Sequence, residues 1–201
     1  MKTVFLHGLG QTARAWDEVV RLCPGLEADC PDLFSLPGSG PSYDRLLSAL
    51  EGRYAGESGP LRLCGLSLGA VLALDYAARH PDQVRQLVLI APQYRTPRPL
   101  FALQDVMFHR MPESAFREAG LTKGEMLSLT RSMGRLDLTR SLPRIACPAE
   151  IVCGARDRAN RKAAQGLFRL LPLARLHLVP EAGHEVNREA PGALAGILAQ
   201  T

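Results

Sequence analysis

Residues 65–69, Gly-Leu-Ser-Leu-Gly, place Ser67 between an apolar run typical of a strand and a run typical of a helix. A serine at such a strand–turn–helix junction is held in a tight backbone conformation that suits a nucleophile. The flanking glycines fit this geometry because strand and helix pass close together there. An ordinary serine N-cap explains the pentapeptide equally well, so the remaining chemistry must be sought elsewhere in the chain.

Activation of a serine requires a base and an acid that orients the base. His184 follows the apolar run 175–179, and Asp157 follows the apolar run 150–153. Each residue also has an ordinary interpretation, since loop histidines are often solvated and aspartate is a common helix N-cap. Asp32 and Asp137 are weaker candidates for the acid because neither follows the penultimate strand.

Acyl transfer also requires hydrogen-bond donors for the developing oxyanion. The sequence His-Gly-Leu-Gly at residues 7–10 follows the first apolar run. Its glycines permit a turn that directs a backbone N–H toward the serine. We predict the N–H groups of Leu9 and Leu68 as the oxyanion hole; a plain glycine turn is the alternative for residues 7–10.

These residues require a scaffold in which strands alternate with helices. Such alternation predicts one α/β domain over residues 1–201, a three-layer sandwich with a mostly parallel sheet of about six strands and helices on both faces. The carboxyl ends of parallel strands bind ligands in such sheets, which would bring the candidate residues together. The predicted strands are residues 3–6, 61–64, 86–90, 150–153 and 175–179, with a weaker one at 26–30.

Residues 93–142 interrupt the alternation and contain no clear strand. A capping-box pattern at residues 122–125 precedes apolar residues at helical spacing. We therefore predict that this segment, called here the insertion, is a small helical cap within the domain.

Bulk composition excludes several classes of protein. The 201 residues carry a formal net charge of +4 with no run of like charges, so nothing indicates nucleic-acid binding. The number of cysteines is five and no pair is spaced C-x-x-C, so we expect free thiols, with Cys64 and Cys153 buried. The absence of a signal peptide or an apolar membrane span predicts a cytoplasmic protein, and the oligomeric state is not indicated.

The order glycine turn, Ser, Asp, His, each after a different strand, resembles the α/β-hydrolase superfamily over nearly the whole chain. The resemblance implies a cofactor-independent, metal-free serine hydrolase. Two departures are informative. The family's two initial antiparallel strands are expected to be absent, and Ala70 stands after the elbow where lyases of menaquinone synthesis tend to have Arg.

Substrate contacts are less well indicated than the catalytic residues. The insertion contains several large apolar side chains that would suit an acyl pocket, although packing of the insertion onto the sheet is the favoured explanation for most of them. Arg95, Arg98 and Arg110 would suit an anionic substrate, or simply solvate the surface. The predicted substrate-binding residues are Gln11, Trp16, Phe101, Met107, Phe108 and Met126.

The sequence therefore predicts a serine hydrolase that cleaves a small carboxylic ester or thioester through an acyl-enzyme. Amide cleavage, C–C bond hydrolysis, perhydrolysis and lyase chemistry use the same fold and triad and remain alternatives. A non-catalytic protein that binds a small ligand is the alternative from a different class, although a pure receptor would not need the triad.

Overall fold

A six-stranded sheet forms the centre of the molecule, in a computed structural model that describes residues 1–96, 105–117 and 120–200. Every described strand runs parallel to its neighbours, in the order β2-β1-β3-β4-β5-β6. The predicted α/β sandwich with a parallel sheet is confirmed. The strands are β1 (Lys2–Leu6), β2 (Ala28–Asp29), β3 (Leu61–Leu66), β4 (Val84–Ile90), β5 (Ala149–Gly154) and β6 (Ala174–Val179).

Burial of the strands follows from their position in the sheet. All residues of β3 and β5 are buried, whereas the edge strand β6 is mostly exposed or half-buried. Inner strands of a parallel sheet are covered on both faces, which is why burial does not alternate along them. The weakest predicted strand, at residues 26–30, is also the shortest in the structure, because only Ala28 and Asp29 pair with β1.

Two hydrophobic clusters lie on opposite faces of the sheet. Leu63, Leu89 and Ile151 point into a cluster with α2, α3 and α6, and their neighbours along the strands point into a second cluster with α1 and α8. This division follows from the two-residue side-chain period of a strand. The helices are α1 (Asp17–Arg21), α2 (Tyr43–Tyr54), α3 (Leu68–Arg79), α4 (Ser114–Arg117), α5 (Lys123–Met133), α6 (Arg161–Leu170), α7 (Val186–Glu189) and α8 (Pro191–Ala199).

The described part of the insertion is helical, with helical residues 105–110 preceding α4 and α5. The capping box at the start of α5 is formed, because Thr122 and Glu125 each accept a backbone N–H of the other. Its Ser132 accepts the Tyr43 N–H at 2.8 Å, which attaches α5 to the start of α2. The role of the insertion as a cap over the site stays a prediction.

Among the described residues, the structure contains no helix whose length and apolar character would let it cross a membrane.

Candidate active site

The candidate site lies at the carboxyl ends of the strands, where the order in which the chain adds strands to the sheet reverses. The chain places β2 on one side of β1 and then returns to place β3 on the other side. The loops that follow β1 and β3 therefore diverge at their carboxyl ends, and a crevice at such a switch point is the usual ligand site of an open α/β sheet. Residues 7–10 follow β1 and Ser67 follows β3, as the sequence predicted.

Ser67 has a strained backbone, with φ of 53° and ψ of −110°. It directly precedes α3, but its side chain makes no capping hydrogen bond, so the N-cap alternative does not describe it. The Ser67 N–H donates to the Ile90 carbonyl oxygen at 2.9 Å, which attaches the turn to the end of β4. Such a strained backbone at a non-glycine residue costs about 1–3 kcal/mol, and strained residues cluster at functional sites.

Two glycines around Ser67 allow the turn to form. A Cβ atom at Gly65 would lie 2.3 Å from the Gly69 carbonyl oxygen, and one at Gly69 would lie 2.0 Å from the Leu6 carbonyl oxygen. Both distances are far below van der Waals contact. The small residues on either side of the serine are therefore a steric requirement of the way β1, β3 and α3 pack.

His184 and Asp157 contact each other across the loops after β6 and β5, with His184 Nδ1 2.9 Å from Asp157 Oδ2. The Asp157 side chain is 4% exposed and that of His184 is 43% exposed. The loops are close because Gly154 has no side chain: a Cβ there would lie 2.0 Å from the Gly183 carbonyl oxygen.

The environment of Asp157 favours its charged form. Burial alone would raise the pKa of this carboxyl, but hydrogen bonds from His184 and Asn160 outweigh burial and hold the pKa below its ordinary value. A charged Asp157 favours the tautomer of the His184 imidazole that carries its proton on Nδ1, and this tautomer has its lone pair on Nε2. Among the described residues, the structure records no hydrogen bond between Ser67 Oγ and His184; such contacts are often long in unliganded enzymes.

The glycine turn after β1 is fixed by side chains on both sides. His7 is fully buried; its Nε2 accepts the Leu33 N–H at 3.0 Å, so its Nδ1 carries the proton and donates to the Gly8 carbonyl oxygen at 3.0 Å. Burial lowers the pKa of His7, which keeps the ring neutral and suits this tautomer. His7 is therefore a structural residue of the turn.

Both predicted oxyanion donors lie where backbone N–H groups have no partner in secondary structure. Within the described chain, the Leu9 N–H donates to no other group. Leu68 is the first residue of α3, where N–H groups lack a partner inside the helix and feel the positive end of its dipole. Their joint role as an oxyanion hole stays a prediction.

The structure places two of the predicted substrate-binding residues in the interior. Gln11 is 1% exposed, and its Oε1 accepts the Gly8 N–H and the Asn187 Nδ2–H, both at 3.3 Å. Trp16 is fully buried with its ring 5.1 Å from that of Phe5. In the structure Gln11 links the glycine turn to α7, and Trp16 packs in the core.

The other predicted substrate-binding residues belong to the insertion. Phe108 and Met126 are buried in a small apolar cluster with Phe116, and the side chain of Leu9 packs against this cluster. Met107 is half exposed. Phe101 lies outside the described residues.

Three site residues were missed by the sequence analysis. Glu189 accepts the N–H groups of Gly183 and Glu185, at 2.7 and 2.9 Å, and so holds the backbone on both sides of His184. Asn160 and Gln93 lie behind Asp157 and are described below. Only Asn160 carried a signal, since a group three residues after an aspartate is well placed for local hydrogen bonding to it.

In the part of the chain that the structure describes, no three His, Cys, Asp or Glu side chains are arranged to hold a metal ion.

Comparison with known proteins identifies the class to which this fold and site belong. The sequence model of the alpha/beta hydrolase family matches residues 3–197, so the chain belongs to that family and is an α/β-fold hydrolase enzyme. The chain is 27% identical to 2-succinyl-6-hydroxy-2,4-cyclohexadiene-1-carboxylate synthase of Klebsiella pneumoniae, a match that covers 98% of the chain and 92% of the relative.

A second relative and a solved structure agree with this placement. The pimeloyl-[acyl-carrier protein] methyl ester esterase of Chromobacterium violaceum is 28% identical, over 90% of the chain and 86% of the relative. A thermophilic esterase from Thermogutta terrifontis, 20% identical, superposes with a TM-score of 0.79 over the whole chain and 88% of that structure. The structural match supports the fold.

Proposed function

We propose that the protein is a serine hydrolase that cleaves a small carboxylic ester or thioester. The observation that carries the proposal is the 2.9 Å contact between His184 Nδ1 and Asp157 Oδ2, on loops at the same edge of the parallel sheet as the strained turn that presents Ser67. A contact between an acid and a histidine from separate strands orients an imidazole for proton transfer. The 98% overlap with a relative named as a synthase keeps lyase chemistry as the second candidate, and Ala70 favours the hydrolase.

In this mechanism Ser67 Oγ attacks the carbonyl carbon while His184 Nε2 takes the hydroxyl proton. Asp157 holds the imidazole in the required tautomer and stabilises the imidazolium that forms. The N–H groups of Leu9 and Leu68 donate to the oxyanion. His184 then protonates the leaving alcohol or thiol, and the acyl-enzyme is released by a water that His184 deprotonates.

The substrate class is supported by the surroundings of the glycine turn. Leu9 joins the predicted oxyanion hole to the apolar cluster of Phe108, Phe116 and Met126, which would contact an acyl chain bound at Ser67. The esterases among the relatives act on esters by their names. A neutral or weakly polar acyl group is the chemistry that this apolar lining favours.

Replacement of the nucleophile tests the proposal. Ser67→Ala should lower kcat for a p-nitrophenyl ester by at least about 10⁴-fold, because residual catalysis would come from binding and the oxyanion hole alone. The measurements are steady-state turnover and labelling by a fluorophosphonate probe. The matched control is Ser48→Ala, which alters an exposed serine on α2 and should leave both unchanged.

Wild-type protein that turns over a panel of short-chain esters and is labelled at Ser67 would support the proposal. Turnover that survives in Ser67→Ala would overturn it. A wild-type protein that is labelled at Ser67 but hydrolyses neither esters nor thioesters would overturn the ester assignment and favour the lyase.

A further inference from the structure

Behind the Asp157–His184 pair lies a buried asparagine that contacts both residues. Asn160 Nδ2 is 2.7 Å from Asp157 Oδ2 and 3.1 Å from His184 Nδ1, and the Asn160 backbone N–H donates to Asp157 Oδ1 at 3.1 Å. Both carboxylate oxygens of Asp157 are therefore occupied by one residue. Asp157 Oδ2 receives two donors, the amide of Asn160 and the imidazole of His184.

The orientation of the Asn160 amide is fixed from another strand. Gln93, which follows β4, donates through Nε2 to Asn160 Oδ1 at 2.6 Å. A reversed amide would direct Asn160 Oδ1 at the Asp157 carboxylate, where two acceptors repel each other. Because Gln93 engages the amide oxygen, Asn160 Nδ2 is the atom that faces Asp157.

Neighbouring contacts hold Gln93 in this position. The next residue, Tyr94, is 8% exposed, and its hydroxyl lies 2.8 Å from the place where a side chain on Gly166 of α6 would begin. The chain after β4 therefore packs directly on α6, whose N-terminus follows Asn160. The small size of Gly166 permits this approach.

We propose that Asn160 is a positioning residue for the Asp157–His184 pair and that Gln93 acts through it. Asn160 fixes the carboxylate plane of Asp157, because its backbone N–H binds Oδ1 and its side-chain amide binds Oδ2, the oxygen that His184 also contacts. This inference rests on the proposed serine hydrolase function. It also makes Gln93, the first residue of the insertion, a direct link from the insertion to the catalytic acid.

The shared oxygen has a consequence for the contact between Asp157 and His184. Asp157 Oδ2 faces both the Asn160 side-chain amide and His184 Nδ1. Removal of the amide in Asn160→Ala leaves this oxygen to the imidazole. The substitution should therefore strengthen the attraction of Asp157 for a protonated His184 and raise, relative to wild type, the pH at which His184 loses its proton.

The first experiment measures that pH directly. NMR titration of His184 in wild type and Asn160→Ala should show an upward shift on the order of half a pH unit, and the acid limb of kcat/KM should move with it. Other ionisable groups near the pair are unaltered: the Cys153 thiol, whose Sγ lies 3.9 Å from the Asp157 carbonyl oxygen, and the Arg161 guanidinium, which donates to the Ala155 carbonyl oxygen.

The NMR readout separates this inference from the proposed function, because it needs no substrate. An unshifted His184 titration in a folded Asn160→Ala protein would overturn the role of Asn160. A shifted titration in a protein that hydrolyses no ester would support the positioning role and count against the hydrolase.

The second experiment is a double-mutant cycle on ester turnover. Asn160→Ala should lower kcat roughly tenfold, since a displaced base loses its attack geometry. Gln93→Ala should lower kcat severalfold on its own and have no further effect in the Asn160→Ala background, because its action runs through Asn160. Additive effects of the two substitutions would contradict the link.

A matched control tests whether loss of a side-chain amide is enough to give these effects. Gln83 donates through Nε2 to the carbonyl oxygens of Tyr54 and Glu57, at the opposite end of the sheet. Gln83→Ala should lower the melting temperature without moving the His184 titration or kcat. If the role of Asn160 were purely structural, Asn160→Ala would likewise lower the melting temperature and leave the His184 titration and kcat unchanged. That result would overturn the proposal.

Discussion

At the scale of single residues, Asp157 lies just before α6 but is not its N-cap. The N-cap is Asn160, and its side chain makes no capping hydrogen bond. Asp157 Oδ1 instead accepts the Asn160 backbone N–H in the turn before the helix, while Asp157 Oδ2 contacts His184 Nδ1. The turn thus holds the carboxylate in place for the contact with the histidine.

The lowered pKa of Asp157 predicts a pH-dependent contribution to stability. A group whose pKa is lower in the folded state stabilises the fold fully above its unfolded pKa of about 4, and this stabilisation is lost as the pH falls through the lowered folded value. The difference in free energy of unfolding between wild type and Asp157→Asn should be constant at neutral pH and shrink in acid. Urea unfolding at several pH values measures it; parallel curves down to acid pH would contradict the prediction.

At the scale of elements, the elbow depends on how closely β3, α3 and β1 approach. Gly65 faces the start of α3, and Gly69 faces the last residue of β1. No side chain fits either gap, because the nearest neighbours are backbone atoms that cannot rotate away. The strained Ser67 is thus held in place by three elements at once.

Substitution of two helical glycines should separate this packing from helix propensity. Gly69→Ala places a Cβ 2.0 Å from the Leu6 carbonyl oxygen and should lower the free energy of unfolding by about 3 kcal/mol or more. Gly52→Ala, in α2, meets no atom within 4 Å and should raise it by roughly 0.5–1 kcal/mol. Denaturant titrations compare the two; equal effects would show that the close approach at Gly69 is not a constraint.

At the scale of the whole molecule, one sheet separates two apolar clusters and carries the candidate site along one edge. The site residues follow β1, β3, β4, β5 and β6, so no single element could position them. The strand order reverses between β1 and β3, which the glycine turn and Ser67 follow, and the contact between the loops after β5 and β6 brings the acid to the base.

Burial of the thiols gives a test of this architecture as a whole. All five cysteines are free, Cys64 and Cys153 are buried as predicted, and burial raises the pKa of Cys30 and of Cys153 to about 11. Low thiolate content makes thiols slow to react. The native protein should react slowly with a thiol reagent at mildly alkaline pH, and five thiols should react rapidly in concentrated urea. A rapid native reaction of Cys64 would contradict the buried sheet.

Much of this protein could be predicted from sequence because the decisive signals are local. Inner strands such as β3 and β5 are short, mostly apolar runs. The glycines around Ser67 follow a steric rule that can be read from the sequence, since strand and helix pass close together at such a turn. Chain order then placed Asp157 and His184 after the correct strands. The edge strand β2 was the least certain, since a strand of two residues leaves almost no pattern.

Contacts between residues distant in the sequence could not be predicted from the sequence. No local pattern around Gln93 predicts its hydrogen bond to Asn160, 67 residues later. No local pattern around Gln11 predicts that its amide is buried against Asn187. Such pairs depend on how separate loops meet. The amino-acid sequence thus determined which residues are equipped for chemistry, because types and local spacing suffice for that. Only the tertiary structure decided which buried amides hold them, because that choice is made where chain segments distant in sequence come into contact.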